Sequence, residues 1–136
     1  MILKEIQRKL CNNFSTIGIE TPELDARIIL KEVLSLDDKD LILKESLDIP
    51  EEMIEKIITI ESRRLNGEPI SKIFKKRDFY NSTFVISNDV LDPRPETELI
   101  VEIANNYINK NEVKNILDLG TGSGCILLSI LNENRM

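Results

Sequence analysis

The stretch "ILDLGTGSGCILLSILNENRM", residues 116–136, holds Gly120, Gly122 and Gly124 on alternate positions between two apolar runs. A buried strand, a glycine-rich turn and a helix start form the geometry of a Rossmann-like ligand site. Glycine lets the chain turn sharply, and without a Cβ it lets a ligand come close to the backbone. The details choose among ligands. No Gly-Lys-Ser/Thr follows, which disfavours a triphosphate loop, and the spacing is G-x-G-x-G rather than the G-x-G-x-x-G of dinucleotide sites. Asp118 stands just before the turn, where an anion repels phosphate but suits a ligand carrying an ammonium or sulfonium charge. These points favour S-adenosylmethionine over NAD or ATP. A glycine turn with no ligand role is the competing reading.

The second chemistry-bearing segment is "DPRPETE", residues 92–98. Its plain structural reading is a helix start. Pro95 suits the first helical position, Glu96 and Glu98 complement the positive helix end, and Thr97 can bond locally. That reading leaves Arg94 and the Pro93–Pro95 pair unexplained. Two prolines around an arginine make a stiff, non-helical segment suited to holding one side chain in place.

These segments need elements to carry them. Leu3, Ile6, Leu10, Phe14 and Ile17 recur at three- and four-residue steps, which predicts a first helix stopped near Gly18. "TPELDARIILKEVLSL" restarts the pattern, with Thr21 as a cap, Pro22 in the first turn, and Leu24, Ile28, Val33 and Leu34 as its apolar stripe. A short third helix is expected from Asp38 to Lys44. A fourth follows Pro50, with Met53, Ile54, Ile57, Ile58, Ile60 and Leu65 on its buried side, and ends at Gly67 before Pro69. The β-prone runs "IFKKRDFY" and "TFVIS", parted by Asn81 and Ser82, predict a hairpin. A fifth helix should carry Leu99, Ile100, Ile103, Tyr107 and Ile108. "NILDLG" should be a buried strand, and "GCILLSILNEN" a helix beginning in the glycine loop. The expected architecture is a mainly α N-terminal bundle over 1–66, a β-hairpin connector over 67–90, and the first helix–strand–helix of a Rossmann-like α/β domain over 91–136.

Composition narrows the function classes. Hydrophobic residues make up 41%, charged residues 31% and aromatics 4%, so the chain is that of a globular protein with an aliphatic core. The formal net charge of −6 argues against direct nucleic-acid binding. One basic run, "RRLNGEPISKIFKKR" (63–77), sets Arg63, Arg64, Lys72, Lys75, Lys76 and Arg77 against Glu68. It reads as a solvated surface or as a docking face for an acidic or RNA-associated partner. There is no histidine, and Cys11 and Cys125 match no metal or redox spacing, so no metal site is expected. The N-terminus is charged from Lys4 and lacks a long apolar stretch, which predicts a cytoplasmic protein without a membrane span.

Together, "RRLNGEPI", "DFYNSTFVISNDVLDPRPETELIVE" and "ILDLGTGSGCI" resemble, in order and spacing, the HemK/PrmC methyltransferases, and "LDARIILKEVL" is similar to their second helix. The resemblance covers nearly the whole chain. It implies a transferase that uses S-adenosylmethionine to methylate a glutamine side-chain amide in peptide-chain release factors, in translation termination. It implies that Gly120, Thr121, Gly122, Ser123 and Gly124 wrap the cofactor's amino-acid portion with Asp118 nearby. Pro93, Arg94, Pro95, Glu96 and Thr97 would border the pocket, and residues 1–66 would contact the release factor. Some family members are fused to a second methyltransferase resembling the tRNA guanine-N7 type, so a bifunctional parent stays open. Family members usually carry an aliphatic residue where Asp92 stands, and tend to have Tyr near Lys72 and Gly near Lys75.

The family's Asn-Pro-Pro-Tyr motif is absent from these 136 residues. An amide nitrogen is a poor nucleophile because its lone pair is delocalised, so catalysis rests on positioning it at the sulfonium methyl. No catalytic residue is therefore assigned, and the chain by itself is expected to be inactive, with weak or no cofactor binding. The truncated strand is expected to pack on the helices, to pair with another copy, or to lack order. Two other readings stay open: a non-catalytic protein-binding adaptor, and part of a DNA or RNA adenine methyltransferase.

Overall fold

The computed structural model describes residues 1–134. The chain divides into two compact units, the first from Met1 to Ile73 and the second beginning at Phe74.

The first unit is built from α1 (Leu3–Thr16), α2 (Pro22–Leu34), α3 (Asp38–Leu43) and α4 (Glu51–Leu65), followed by α5 (Ile70–Phe74). The apolar steps of α1 bury Leu3, Ile6, Leu10 and Phe14 against α2 and α4. α1 stops as expected at Gly18, whose φ of 77° needs a residue without a Cβ penalty. Gly18 N–H donates to Ser15 O and Ile19 N–H to Phe14 O, so the last carbonyls are satisfied. α4 ends the same way at Gly67, with Gly67 N–H on Arg64 O and Glu68 N–H on Arg63 O. α3 is opened by reciprocal bonds: Asp40 N–H donates to Asp37 Oδ1 at 2.7 Å, and Asp37 N–H to Asp40 Oδ2 at 3.3 Å.

Four details of the helices differ from what the sequence predicts. Ile17 is exposed, because the chain has already left α1. On α2 the buried residues are Asp25, Ala26, Ile29 and Leu30, while Leu24 faces solvent, so the stripe is turned from the one expected. Thr21 makes no side-chain cap. On α4 Ile57 is the buried isoleucine and Ile58 is exposed. The cause is polar: Asp25 and Glu61 turn inward and claim buried area. Arg64 Nε donates to Asp25 Oδ2 at 2.7 Å, and Asn13 Nδ2 to Glu61 Oε1 at 2.7 Å. These bonds tie α4 to α2 and to α1. The first residues are also drawn into the fold, with Leu3 N–H on Leu47 O at 2.9 Å and Ile49 N–H on Met1 O at 3.1 Å.

The basic run is partly spent inside the unit. Arg63 Nε donates to Glu68 Oε2 at 2.7 Å, and the guanidinium holds the Glu68 carboxyl below its ordinary range. Arg64 is committed to Asp25.

The second unit contains β1 (Lys76–Phe79), β2 (Ser82–Val85), α6 (Glu98–Ile108) and α7 (Cys125–Glu133). β1 and β2 form the expected antiparallel hairpin, with Arg77 opposite Phe84 and Phe79 opposite Ser82. Its first strand begins later than expected, because Ile73 and Phe74 belong to α5. Phe79, Phe84, Val101, Cys125 and Ile130 make the core, with Ala104, Ile108 and Ile126 packed on it. Phe79 and Phe84 meet edge to face, with ring centroids 6.2 Å apart.

The architecture agrees with the expected class in its helical bundle, hairpin and start of an α/β unit. One element does not form. "NILDLG" is irregular chain, and its Leu117 and Leu119 are 81% and 83% exposed. A parallel-type strand is stable only when neighbours take up its N–H and C=O groups and cover its faces. Among the described residues the sheet holds β1 and β2 alone.

Lys75 lies where β1 begins, at φ 55°, a left-handed conformation that favours glycine, and its carbonyl accepts from Ile86 N–H at 2.9 Å. We expect Lys75→Gly to raise the second unit's stability by roughly 0.5–1 kcal/mol, relief of the Cβ clash exceeding glycine's entropy cost. Urea unfolding of the two proteins checks this; a lower midpoint for the variant would show that the Lys75 side chain contributes more than its backbone costs.

Candidate cofactor site

The glycine loop takes the conformation that its composition predicts. Gly120, Gly122 and Gly124 have φ values of 74°, 56° and 77°, all in the left-handed region. Three such residues in five positions would be costly for any side chain. A Cβ at Gly120 would meet open space, so backbone conformation is what requires glycine there; a Cβ at Gly124 would also press on Leu128 Cδ1 at 3.2 Å. The turn is closed by Gly124 N–H donating to Thr121 O at 2.8 Å, and α7 starts at once, with Leu128 N–H on Gly124 O. Asp118 and Thr121 are brought together: the Thr121 hydroxyl donates to Asp118 Oδ2 at 3.0 Å. Ser123 is half-buried, while Gly120, Thr121 and Gly122 face solvent.

α7 is held in place by its buried Cys125, Ser129 and Ile130 and by two amide contacts. Asn134 Nδ2 donates to Asn105 Oδ1 on α6 at 2.7 Å, and Asn81 Nδ2 in the hairpin turn donates to Glu133 Oε1 at 2.8 Å. The helix that begins in the loop is thus fixed to both other parts of its unit.

The "RPETE" residues form a 3-10 turn over Pro95–Thr97 that runs directly into α6. Thr97 N–H donates to Arg94 O at 3.0 Å. Pro93 is buried, Arg94, Pro95 and Glu96 are exposed, and Thr97 is half-buried. The helix-start reading of Pro95 is correct, but no side-chain cap is made at Arg94 or Thr97.

Glu98 does more than complement a helix end. Its Oε1 accepts the Tyr80 N–H at 2.8 Å, across 18 residues, and so fastens the hairpin turn to the start of α6. Tyr80 has a φ of 53°, unusual for a bulky residue, and the carboxylate satisfies the amide that this conformation turns outward. The residue types in "RPETE" do not disclose this contact. A hairpin turn "YN" without glycine was the available signal that something outside the turn must hold it.

The loop residues fit the amino-acid end of S-adenosylmethionine in kind. A carboxylate stands at the turn for a cationic group, and glycine backbone precedes a nine-residue helix whose first N–H groups are free of i−4 partners. Among the described residues no group of three or more His, Cys, Asp or Glu is placed to hold a metal. No helix among them is long and apolar enough to cross a membrane.

Known proteins are similar to this chain over most of its length. The family model of the PrmC N-terminal domain matches residues 5–74, just over half of the chain. The chain is 35% identical to the release factor glutamine methyltransferase of Coxiella burnetii, over 96% of this chain and 47% of that protein. It is 41% identical to the protein of the same name in Burkholderia pseudomallei, over 81% of this chain and 39% of that protein. It is also 33% identical to the bifunctional methyltransferase of Rickettsia typhi, over 96% of this chain and 29% of that protein. The chain spans less than half the length of each of these relatives. By the family-model match and these relatives, the chain belongs to the HemK/PrmC family of methyltransferases.

Proposed function

We propose that this chain supplies the release-factor-recognition helices, residues 1–66, and the first wall of an S-adenosylmethionine pocket in a protein-glutamine N5-methyltransferase acting in the cytoplasm. The hairpin region 67–90 connects the two, and residues 91–136 begin the catalytic domain. The reading is carried by one conjunction: a PrmC-type N-terminal domain and, in the same chain, a loop with three left-handed glycines at a helix start.

In this reading S-adenosylmethionine supplies an electrophilic methyl group on its sulfonium. Asp118 balances the cofactor's positive charge, and its bond to Thr121 keeps that carboxylate turned toward the loop. Gly120, Gly122 and Gly124 let the backbone approach the amino-acid portion, and Ser123 adds a hydroxyl beside it. Pro93, Arg94, Pro95, Glu96 and Thr97 border the pocket on the α6 side, where the prolines stiffen the segment before the helix. Orientation of the glutamine amide falls to an Asn-Pro-Pro-Tyr motif that these 136 residues do not contain. The Rickettsia typhi relative is a bifunctional methyltransferase, and a bifunctional parent, with a second activity of the tRNA guanine-N7 type, is the corresponding extension of this reading.

Three measurements test this. A release factor immobilised on a sensor should bind the chain, and absence of binding would remove residues 1–66 from substrate recognition. Incubation with labelled S-adenosylmethionine and release factor should give no turnover above background, and calorimetry with the cofactor should show weak or no heat. Turnover would show that a group within these residues can position the amide and would overturn the assignment of catalysis to the missing motif. Any cofactor heat that is seen should disappear in Gly122→Val, because a β-branched residue cannot hold φ near 56° without strain.

A further inference from the structure

Asn66 is followed by Gly67, and no other asparagine of the chain precedes a glycine. The pair closes α4, with Asn66 as its C-terminal cap. Asparagine is thermally labile because the next residue's main-chain nitrogen can attack its side-chain carbonyl carbon, and a following glycine leaves that nitrogen unshielded. Ring closure needs Cβ, Cα, C and the Gly67 nitrogen near one plane. Asn66 has φ −80° and ψ 9°, which keeps them out of it. The nitrogen is also engaged, since Gly67 N–H donates to Arg64 O at 3.0 Å. Arg64 is itself anchored, with its Nε donating to Asp25 Oδ2 at 2.7 Å. Arg63 makes a second lock. Its carbonyl accepts Glu68 N–H at 3.2 Å, and its Nε donates to Glu68 Oε2 at 2.7 Å. Asn81 precedes a small residue too, Ser82, but its amide is held on Glu133 Oε1 at 2.8 Å.

We propose that Asn66 is a site of spontaneous deamidation, reactive only when the last turn of α4 opens. In the open turn the Gly67 nitrogen gives its proton to hydroxide and bonds to Asn66 Cγ. The Cγ–Nδ2 bond then breaks, and the side-chain nitrogen takes a proton from water and leaves as ammonia. Water adds to either carbonyl of the resulting succinimide, and cleavage of that ring C–N bond leaves aspartate or isoaspartate. The balance is one water consumed and one ammonia released, with no oxidant or reductant. Isoaspartate routes the main chain through Cβ, which adds a methylene between α4 and Glu68. Aspartate keeps the chain length but sets a carboxylate at the negative end of α4. Either product opposes the closed turn, so the reaction is a one-way loosening of the α4 end. The gate is built wholly from residues of the first unit: Asp25, Arg63, Arg64 and Glu68.

Incubation of the whole 136-residue chain at mildly alkaline pH, followed by peptide mapping with mass spectrometry, tests this. The free peptide "RRLNGEPI", residues 63–70, gives the ungated rate. Asn66 should be the first asparagine of the chain to convert, with ammonia released in step. Its rate should lie below that of the peptide by about tenfold or more, because the closed turn must open first. Asp25→Ala, which frees the Arg64 side chain, should raise the rate by about tenfold. Glu68→Gln, which weakens only the Arg63 lock, should raise it by about two- to fivefold. Urea below the unfolding transition should speed the wild-type chain in the same direction. Asn66→Gln should abolish the reaction, since its longer side chain does not close the five-membered ring. Circular dichroism confirms folding, and Glu68→Gln and the urea series serve even if Asp25→Ala does not fold. Asn66 left intact in every folded chain while the peptide converts, conversion at the peptide's rate in all of them, or earlier conversion of another asparagine would overturn the proposal.

Discussion

Replacing Asp25 with alanine should lower the stability of the first unit by about 3 kcal/mol, the low end of the cost of stranding one partner of a buried ion pair. The Asp25 and Arg64 side chains are 9% and 20% exposed, and their atoms meet at 2.7 Å. Removing the carboxylate leaves a guanidinium in poor contact with water. Its Nη1 also donates to Glu68 O, but at 3.4 Å that bond is long. Asp25→Asn keeps the shape and an acceptor oxygen, and should cost less. Changing both residues, Asp25→Ala with Arg64→Met, should cost much less than the sum of the single changes, since no charge is then left behind. A double-mutant cycle by urea unfolding reads all three. If Asp25→Ala costs under about 1 kcal/mol, the pair behaves as a surface salt bridge and the helices are held by packing alone. The outcome bears on function, because this bond fixes α4 against α2 in the unit proposed to recognise the release factor.

Phe79→Ala should be as costly in the second unit, about 3–4 kcal/mol for a large-to-small change in a core. Phe79 is fully buried, meets Phe84 edge to face, and is the strand residue on which the α6–α7 packing closes. Its loss should free the hairpin, and with it the Asn81 contact that helps hold α7. The glycine loop would then lose its fixed helix start. Each unit has its own core, so the effect should stay local. Amide exchange should show lost protection at Val101 and Ile130 while Leu10 and Ile29 keep theirs. Loss of protection in both sets together would mean that the chain folds as one cooperative body.

The sequence was informative where the physics is short-ranged. Gly18 and Gly67 end α1 and α4 because each helix end needs a left-handed residue whose N–H reaches back three positions, and that pattern is local. Pro22 and Pro95 mark helix starts for the same reason. The hairpin and the helical parts of the second unit also follow from period and turn residues. The apolar faces were less legible. Leu24 and Ile58 fit a helical period, yet they are exposed. Periodicity knows nothing of Asp25 and Glu61, whose partners Arg64 and Asn13 lie 39 and 48 residues away.

The same division holds at the candidate site. The left-handed turn at Gly120, Gly122 and Gly124 and the helix beyond it were determined by residue type alone, since no other residue takes φ values near 74°, 56° and 77° so cheaply. The family likewise rests on motifs that can be read in order along the chain. Only the tertiary structure decided that Glu98 anchors the hairpin at Tyr80, and that "NILDLG", strand-like in every residue, stays irregular. A turn closes on its own backbone within a few residues. A strand is not a property of its own sequence, because its amides and both its faces must be completed by neighbours from elsewhere.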